Sequence, residues 1–284
     1  MFKDIPIIMI RNVGYTYPNG TVALKNINLN INKGELIGIM GKNGAGKTSL
    51  IRTLNGLIRP TRGNIYIDSE NINSKSIASL SQKVGIIFQN PFHQLFANSV
   101  EEEIKFSLKS FNLDKEQIEL RVDQILNEFN LEKYRKRSPF NLSGGESKKL
   151  AVASIICRDP EILIFDEPTL GQDAKEIEFL IELIMKEKEI GKTIIIITHN
   201  IEFAYEYLHR TILMADGQII GDGPTKEILS NELLIKKASL ILPQIKQFSL
   251  ALKELGYKEV DALISKNDII NYVRILIKDK KLEV

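Results

Sequence analysis

The sequence predicts an α/β fold with a largely parallel core sheet, because short apolar runs alternate with segments of helical periodicity. The runs lie at residues 35–40, 84–88, 162–165 and 193–197. The last two are almost wholly apolar, as strands covered on both faces must be. Asp166-Glu167 follows one of them and Thr198-His199 follows the other. Because ligands in such sheets bind beyond the carboxyl ends of the strands, we expect chemistry at both positions.

The first run leads into a glycine-rich loop at residues 41–48, hereafter the phosphate loop. It reads Gly41-Lys42-Asn43-Gly44-Ala45-Gly46-Lys47-Thr48 and matches G-x-x-x-x-G-K-[ST]. In that pattern backbone N–H groups wrap phosphates, the lysine reaches the β and γ oxygens, and the hydroxyl holds Mg²⁺. Apolar residues then follow at the spacing of a helix. This order of strand, loop and helix predicts a nucleotide site formed by residues 41–48 and Ser49.

A helix-rich insert comes next, over about residues 90–157. Ser99 with Glu102 has the spacing of an N-terminal capping box, and so has Asp114 with Gln117. Both pairs precede segments with apolar residues at helical spacing. We therefore expect a helical subdomain inserted between two strands of the core sheet.

The last part of the chain is predicted to hold a hairpin and then helices. Residues 211–214 and 218–220 are predicted strands, joined by an Asp-Gly pair at Asp216-Gly217 that is typical of a tight hairpin. After Pro243 a helical stripe ends at Gly256, and a second helix is predicted from about Lys266 to Lys278. We divide the chain into a domain at residues 1–230 and a small helical domain at residues 231–284.

Composition restricts the classes of partner. A net charge of +2 on 284 residues gives no broad basic field, so we expect no nucleic acid partner. The single cysteine, Cys157, excludes an internal disulfide and fits a reducing compartment. No apolar run approaches the ~18 residues that span a bilayer, and the first residues lack a secretory pattern. We expect a cytoplasmic chain that reaches a membrane only by docking on another protein.

A second short motif lies at mid-chain, in Leu142-Ser143-Gly144-Gly145-Glu146, hereafter the signature segment. With it, the chain resembles the ATP-binding cassette family over nearly its first 230 residues. The motifs stand in that family's order: Tyr17, the phosphate loop, Gln89, the signature segment, Asp166-Glu167, Gly171-Gln172-Asp173 and His199. The resemblance implies a P-loop ATPase fold with a mostly parallel core sheet, antiparallel β elements, a helical subdomain and a C-terminal helical appendage.

The resemblance also implies how ATP and Mg²⁺ would be bound. Lys47 and the amides of the phosphate loop would compensate phosphate charge. Thr48 and Asp166 would hold Mg²⁺, with Gln89 completing its shell. Tyr17 would stack on adenine, although packing against a strand is the alternative.

The catalytic residues implied by the resemblance are Glu167, His199, Lys47 and Gln89. Glu167 would polarise the attacking water as general base. His199 would contact the γ-phosphate, whereas a lone histidine at a strand end is more often structural. Departures from the family's usual residues at Lys149 and Gln172 remove no catalytic group, although both could tune the contact with a second subunit.

The signature segment implies a second subunit. Ser143 is predicted to cap the next helix with Glu146 as its partner, which leaves the N–H groups of Gly144 and Gly145 free for an anion. In the family that anion is the γ-phosphate of ATP on another subunit, so two cassettes close head to tail around two nucleotides. The family usually has glutamine at position 146. We expect Glu146 to turn back toward the helix cap, away from phosphate.

Residues 88–104 and the tail from Leu242 resemble the energy-coupling factor transporter ATPases, including those of cobalt and nickel uptake, although Phe92-His93 replaces their polar pair. The resemblance implies a paired ATPase, a transmembrane scaffold and a substrate-binding membrane subunit at the cytoplasmic face of the cell membrane. Phe92, Leu95 and Phe96 would contact the scaffold, or equally form local core. Residues Glu101 to Glu103 would meet its basic residues, or be a solvated face.

Three functions compete at this stage. The first is a transport ATPase, either of the energy-coupling factor type for a vitamin or transition metal or of another transporter class. The second is a soluble cassette protein of DNA repair or translation, but the chain has neither a long coiled-coil insertion nor a second cassette. A phosphotransferase is disfavoured because the signature segment has no use in a kinase. The transported solute and the choice between homodimer and heterodimer stay open.

Overall fold

Two β-sheets form the centre of the protein in a computed structural model that describes residues 6–257, 260 and 265–282. The strands are β1 (Ile8–Thr16), β2 (Val22–Ile31), β3 (Leu36–Met40), β4 (Arg62–Ile67), β5 (Glu70–Asn71), β6 (Val84–Ile87), β7 (Ile162–Asp166), β8 (Thr193–Ile197), β9 (Arg210–Ala215) and β10 (Gln218–Pro224). The helices are α1 (Lys47–Leu54), α2 (Ile77–Lys83), α3 (Val100–Leu108), α4 (Lys115–Glu128), α5 (Gly144–Ile156), α6 (Ala174–Glu189), α7 (Ile201–Tyr207), α8 (Thr225–Ser230), α9 (Glu232–Lys237), α10 (Gln244–Glu254) and α11 (Lys266–Leu282).

The larger sheet has the strand order β10-β9-β3-β8-β7-β6. Its last five strands are parallel, and β10 pairs antiparallel with β9 at one edge. The predicted parallel sheet is therefore confirmed, as is the hairpin. Asp216 and Gly217 at its tip both have positive φ, 48° and 81°, as the tight turn between antiparallel strands requires.

A second sheet, of order β2-β1-β4-β5, is antiparallel throughout. Strand β3 shows how the core is divided, since successive side chains point to opposite faces. Ile37 and Ile39 pack in one cluster with Ile8 of the second sheet. Leu36 and Met40 belong to the cluster on the other face, together with the helices of the insert. All five residues of β3 are buried.

The insert between β6 and β7 contains α3, α4 and α5, as expected. Ser99 accepts a hydrogen bond from the N–H of Glu102 at the start of α3. Asp114 and Gln117 form a full capping box at the start of α4. These helices pack through buried apolar side chains, which include Ile104, Val122, Ile125 and Leu150. The strand order then places the carboxyl end of β7 beside those of β6 and β8.

Four helices follow β10 in the described part of the chain. Ile235 and Ala238, in α9 and at its end, are buried in the same apolar cluster as the helices of the insert. Helix α10 ends at Glu254, and Gly256 after it has a φ of 85°, which agrees with the predicted stop. No helix among the described residues has both the length and the apolar character needed to cross a bilayer.

Candidate nucleotide site

The phosphate loop lies between the carboxyl end of β3 and the start of α1. Gly46 adopts a φ of 101°, and a Cβ there would lie 2.5 Å from the carbonyl oxygen of Ala23. Only glycine fits both constraints. Within the described chain, no acceptor pairs with the N–H groups of Gly44, Gly46, Lys47 and Thr48. A ring of unpaired donors at a helix N-terminus is suited to bind phosphate oxygens.

Lys47 lies inside this loop. Its ammonium donates hydrogen bonds to the carbonyl oxygens of Gly41, at 2.7 Å, and Lys42, at 3.1 Å. Burial lowers the pKa of Lys47, and the charges of Glu167 and Asp166 oppose that shift. The geometry holds a positive charge beneath the unpaired amides, where it can neutralise a bound phosphate.

Asp166 ends β7 and Glu167 follows it, where the sequence predicted chemistry. Burial and the neighbouring Glu167 raise the pKa of Asp166 to about 6. Among the described residues, none donates a hydrogen bond to the Asp166 carboxylate, and none pairs with the Thr48 hydroxyl or the Gln89 amide. Three unpartnered oxygen-bearing groups in one cleft fit Mg²⁺, which prefers such ligands.

Glu167 is held in a fixed orientation. Its φ is 51°, a left-handed conformation that non-glycine residues seldom adopt. Its N–H donates to the carbonyl oxygen of Ile197 at 2.9 Å, beside β8. One carboxylate oxygen lies 2.8 Å from Nδ1 of His199, and the other accepts the His199 N–H at 3.3 Å. A neutral ring would thus carry its proton on Nδ1 and leave Nε2 free.

Tyr17 lines the cleft and contacts Ser49, the residue that follows the phosphate loop. Its hydroxyl is 2.9 Å from the hydroxyl oxygen of Ser49, and its ring meets Tyr15 edge to face at 4.9 Å between centroids. Ser49 therefore bonds to the side chain proposed to stack on adenine. The sequence did not indicate either this bond or the pairing of His199 with Glu167, since both join residues that are distant along the chain.

One cleft of about 340 Å³ brings most of the predicted residues together. Its lining comprises Tyr17, Thr21, Val22, Ala23, Asn43, Gly44, Gly46, Lys47, Thr48, Ser49, Gln89, Asp166, Glu167 and Ile197. Gly41 and Lys42 accept hydrogen bonds from Lys47, Ala45 is buried in the loop, and His199 contacts Glu167. The roles assigned to these residues remain predictions.

The signature segment lies apart from this cleft. Ser143 and Glu146 form a capping box, in which the Ser143 N–H donates to the Glu146 carboxylate at 2.8 Å. The prediction that Glu146 turns back is therefore confirmed. Hydrogen bonds from Tyr134 and from the Ser143 backbone lower the pKa of Glu146. The N–H groups of Gly144 and Gly145 find no acceptor within the described chain.

Gly145 instead borders a separate cavity of about 40 Å³, which Gln89 and Asp166 also reach. Glu176 of α6 also lines this cavity, and a Cβ added to Gly145 would lie only 1.8 Å from one of its carboxylate oxygens. Gly144 and Gly145, at the start of α5, thus lie outside the cleft that the phosphate loop lines.

The expected scaffold contacts need correction. Leu95 is buried in the core, whereas Phe92 and Phe96 are exposed. Glu101 and Glu103 are buried too and do not form a solvated acidic face. Glu101 accepts hydrogen bonds from Arg135 and Lys136, and Glu103 accepts one from the N–H of Ala97. These hydrogen bonds offset the free-energy cost of burying a carboxylate.

Comparison with known proteins points to one family. The sequence profile of the ABC transporter family matches residues 24–170. An Energy-coupling factor transporter ATP-binding protein of Methanospirillum hungatei is 38% identical, over 95% of this chain and 68% of its own length. An ABC transporter ATP-binding protein of Methanosarcina acetivorans is 39% identical over 95% of this chain, which spans only 44% of that protein.

Solved structures agree. The cbiO1 protein of Clostridium perfringens, part of the ABC transporter complex cbiONQ, superposes with a TM-score of 0.72 at 36% identity. The alignment covers 86% of this chain and 98% of that protein. An ATP-binding cassette solved as a dimer, in a post-hydrolysis state with ADP and Pi, has a TM-score of 0.70 at 30% identity. That alignment covers 77% of this chain and 98% of the cassette.

Proposed function

From the premise that the chain belongs to the ABC transporter family and is an ATPase of that family, we propose that it powers solute import by an energy-coupling factor transporter. Closure of two ATPase subunits around ATP would drive a membrane scaffold on the cytoplasmic side. A separate membrane subunit would bind the vitamin or transition metal ion. We assign the ATPase domain to residues 1–230, with the helical subdomain at about 90–157, and a C-terminal domain to residues 231–284.

We infer the hydrolysis step from the residues that line the cleft. The amides of the phosphate loop and Lys47 bind the phosphates of ATP. Thr48, Gln89 and Asp166 would hold Mg²⁺, which when bound neutralises charge on the β and γ oxygens. Glu167 takes a proton from water and the water oxygen bonds to the γ-phosphorus. The bond from that phosphorus to the β–γ bridging oxygen breaks, its electron pair leaves with ADP, and inorganic phosphate forms. His199 orients Glu167 through its two hydrogen bonds.

One observation carries the two-subunit part of the proposal. Within a chain, the unpaired N–H groups of Gly144 and Gly145 lie outside the cleft that holds the phosphate loop. Each set of donors is suited to an anion. A second ATPase subunit, placed head to tail, would bring its signature segment to this chain's triphosphate. The related cassette solved as a dimer with ADP and Pi supports that arrangement.

The scaffold would dock on the exposed aromatic side chains of the helical subdomain. Phe92 stacks on Phe140 with ring centroids 6.0 Å apart, and Phe96 meets Phe106 edge to face at 4.6 Å. All four rings are exposed. Exposed apolar clusters of this kind are typical of protein contacts.

Glu167→Gln tests the catalytic assignment. The variant should bind ATP, lose turnover and accumulate as an ATP-bound dimer, measured by sedimentation of the chain alone and with any second ATPase that copurifies from membranes. Adding Ser143→Arg should leave ATP binding intact and abolish that dimer. Glu161→Gln, just before β7 at its opposite end, is the matched control. Normal hydrolysis by Glu167→Gln would show that the base is wrongly assigned.

Copurification from membranes tests the scaffold. The double change Phe92→Ser and Phe96→Ser should release the ATPase from its membrane partner without loss of ATP binding. Leu120→Ser, an exposed apolar position on α4, is the control and should keep the complex. Failure of a matched scaffold to bind the intact chain would contradict the energy-coupling factor assignment.

A further inference from the structure

The segment after Gln89 forms a stiff turn. The carbonyl oxygen of Pro91 accepts hydrogen bonds from the N–H groups of Gln94, at 2.9 Å, and Leu95, at 3.0 Å. The side chain of Asn90 caps the same turn, and the ring of Pro91 fixes its φ. Leu95 anchors the turn in the core. A displacement of Gln89 in the nucleotide cleft would therefore move the turn as one unit.

Gln94 joins this turn to the helix that bears the signature segment. Its Nε2 donates to the carbonyl oxygen of Ala151 at 2.6 Å and to the hydroxyl oxygen of Ser154 at 2.9 Å. Ser154 is buried and bonds Ala151 as well. Ala151 lies about 10 Å along α5 from Gly144, because a helix rises 1.5 Å per residue. Force on Gln94 thus reaches the anion-binding end of α5.

A second tie holds the other end of the segment. One carboxylate oxygen of the buried Glu103 accepts the N–H groups of Phe96 and Ala97, each at 2.9 Å. Residues 90–97 are therefore fixed to α3 by Glu103 and to α5 by Gln94. The turn cannot shift while both helices of the subdomain stay in place.

The chemistry of Gln94 also argues for a role beyond packing. Its Oε1 is buried and has no hydrogen-bond partner in the described part of the chain. A buried acceptor without a partner is unfavourable, and a methionine of similar length would avoid it. Unlike methionine, the Gln94 amide can donate the two hydrogen bonds to α5.

We propose that Gln94 is a positioning residue that couples the two ATP sites of the ATPase pair. It transmits the state of Gln89, at this chain's own nucleotide, to the signature segment, which contacts the partner's nucleotide. The inference rests on the proposed two-subunit site. Removing the donors should uncouple the sites without disturbing nucleotide binding by either chain.

The test compares Gln94→Met with wild type in the intact ATPase dimer. ATP binding by the single chain should stay within about twofold, since Gln94 does not line the cleft. We expect the Hill coefficient of hydrolysis to fall toward 1 and kcat to fall about tenfold, as the loss of two hydrogen bonds would produce. The thermal midpoint should not fall. Gln82→Met, which removes a similar bond from Gln82 to the carbonyl of Ser110 at the surface, should change none of these values.

The outcomes separate this inference from the proposed function. If wild type hydrolyses ATP without cooperativity and Glu167→Gln stays monomeric, the two-subunit site itself is wrong. If wild type is cooperative and Gln94→Met is equally so, only the coupling role is overturned. Should Gln94→Met lower the thermal midpoint, Ser154→Ala decides. It removes one of the two acceptors, so we expect an intermediate loss of cooperativity, and an unchanged Hill coefficient would refute the role.

Discussion

Glu101 gives the sharpest test of how the helical subdomain is held together. Its carboxylate bonds to Lys105, and its second oxygen lies 3.0 Å from Nε of Arg135 and 2.6 Å from Nζ of Lys136. The residue is only 7% exposed. Arg135 and Lys136 come from the loop that precedes the signature segment. The ion pairs of Glu101 therefore fasten that loop to α3, and Glu101→Gln should loosen it.

The size of the effect follows from the pKa. Hydrogen bonds from Lys105 and then Lys136 lower the pKa of Glu101 from 4.5 to about 2. At 1.36 kcal/mol per pKa unit this corresponds to about 3 kcal/mol. Lys136 is largely exposed, so solvent screens its share and about 2 kcal/mol is the better expectation. Because the folded pKa is depressed, this stability is present above about pH 4.5 and is lost as pH falls toward 2.

Urea unfolding of wild type and Glu101→Gln between pH 7 and pH 3 measures this. The free energy of unfolding should be about 2 kcal/mol lower in the variant at pH 7, and the gap should narrow below about pH 4.5. Glu102→Gln is the matched control, since the neighbouring side chain is exposed and should leave stability unchanged. A gap that is absent at pH 7, or that does not depend on pH, would refute the reasoning.

Three further experiments probe helix α5 and the buried core. Glu146→Gln should keep ATPase activity within about twofold, because glutamine can make the same capping bonds, and a large gain would show that the carboxylate opposes phosphate. Gly145→Ala should lower the free energy of unfolding by about 1 kcal/mol, because the added methyl group displaces the Glu176 side chain that caps α6. Gly144→Ala is the control: its methyl group meets nothing within 4 Å, so urea denaturation should show no loss of stability. Burial raises the pKa of Cys157 to about 12, so iodoacetamide at pH 8 should label it only after unfolding, and rapid native labelling would contradict that burial.

Local rules made much of the fold predictable. The four apolar runs form β3, β6, β7 and β8, since short continuous apolar runs are typical of parallel strands that are buried on both faces. The helix caps at Asp114 and Ser143 formed as expected, because their hydrogen bonds span only three residues. The phosphate loop is likewise a local structure, in which glycine conformation and the following helix determine the geometry.

Contacts between distant segments escaped prediction. The pairing of His199 with Glu167 joins the ends of two different strands, and no local spacing encodes it. Glu101 and Glu103 look like a solvated acidic face in the sequence. Their burial depends on Arg135 and on backbone N–H groups that only the tertiary fold brings near. The prediction that Glu101 and Glu103 are exposed was therefore wrong, because it used only their charge and could not include partners that lie far away in the sequence.

The positions of the unpaired backbone N–H donors give the strongest physical reason to expect that two ATPase subunits act as a pair. The first N–H groups of a helix have no partner within that helix, so they are available to water, to a side chain or to a ligand. Among the described residues, two sets of such donors belong to the predicted nucleotide motifs, one in the phosphate loop and one at Gly144 and Gly145, and they do not share a cleft. Because Glu146 is bound to the Ser143 N–H, it does not shield the second set with its own charge. In the proposed pair, a second subunit would bring both sets to one triphosphate, and the bond from Gln94 to α5 would make each set respond to the other.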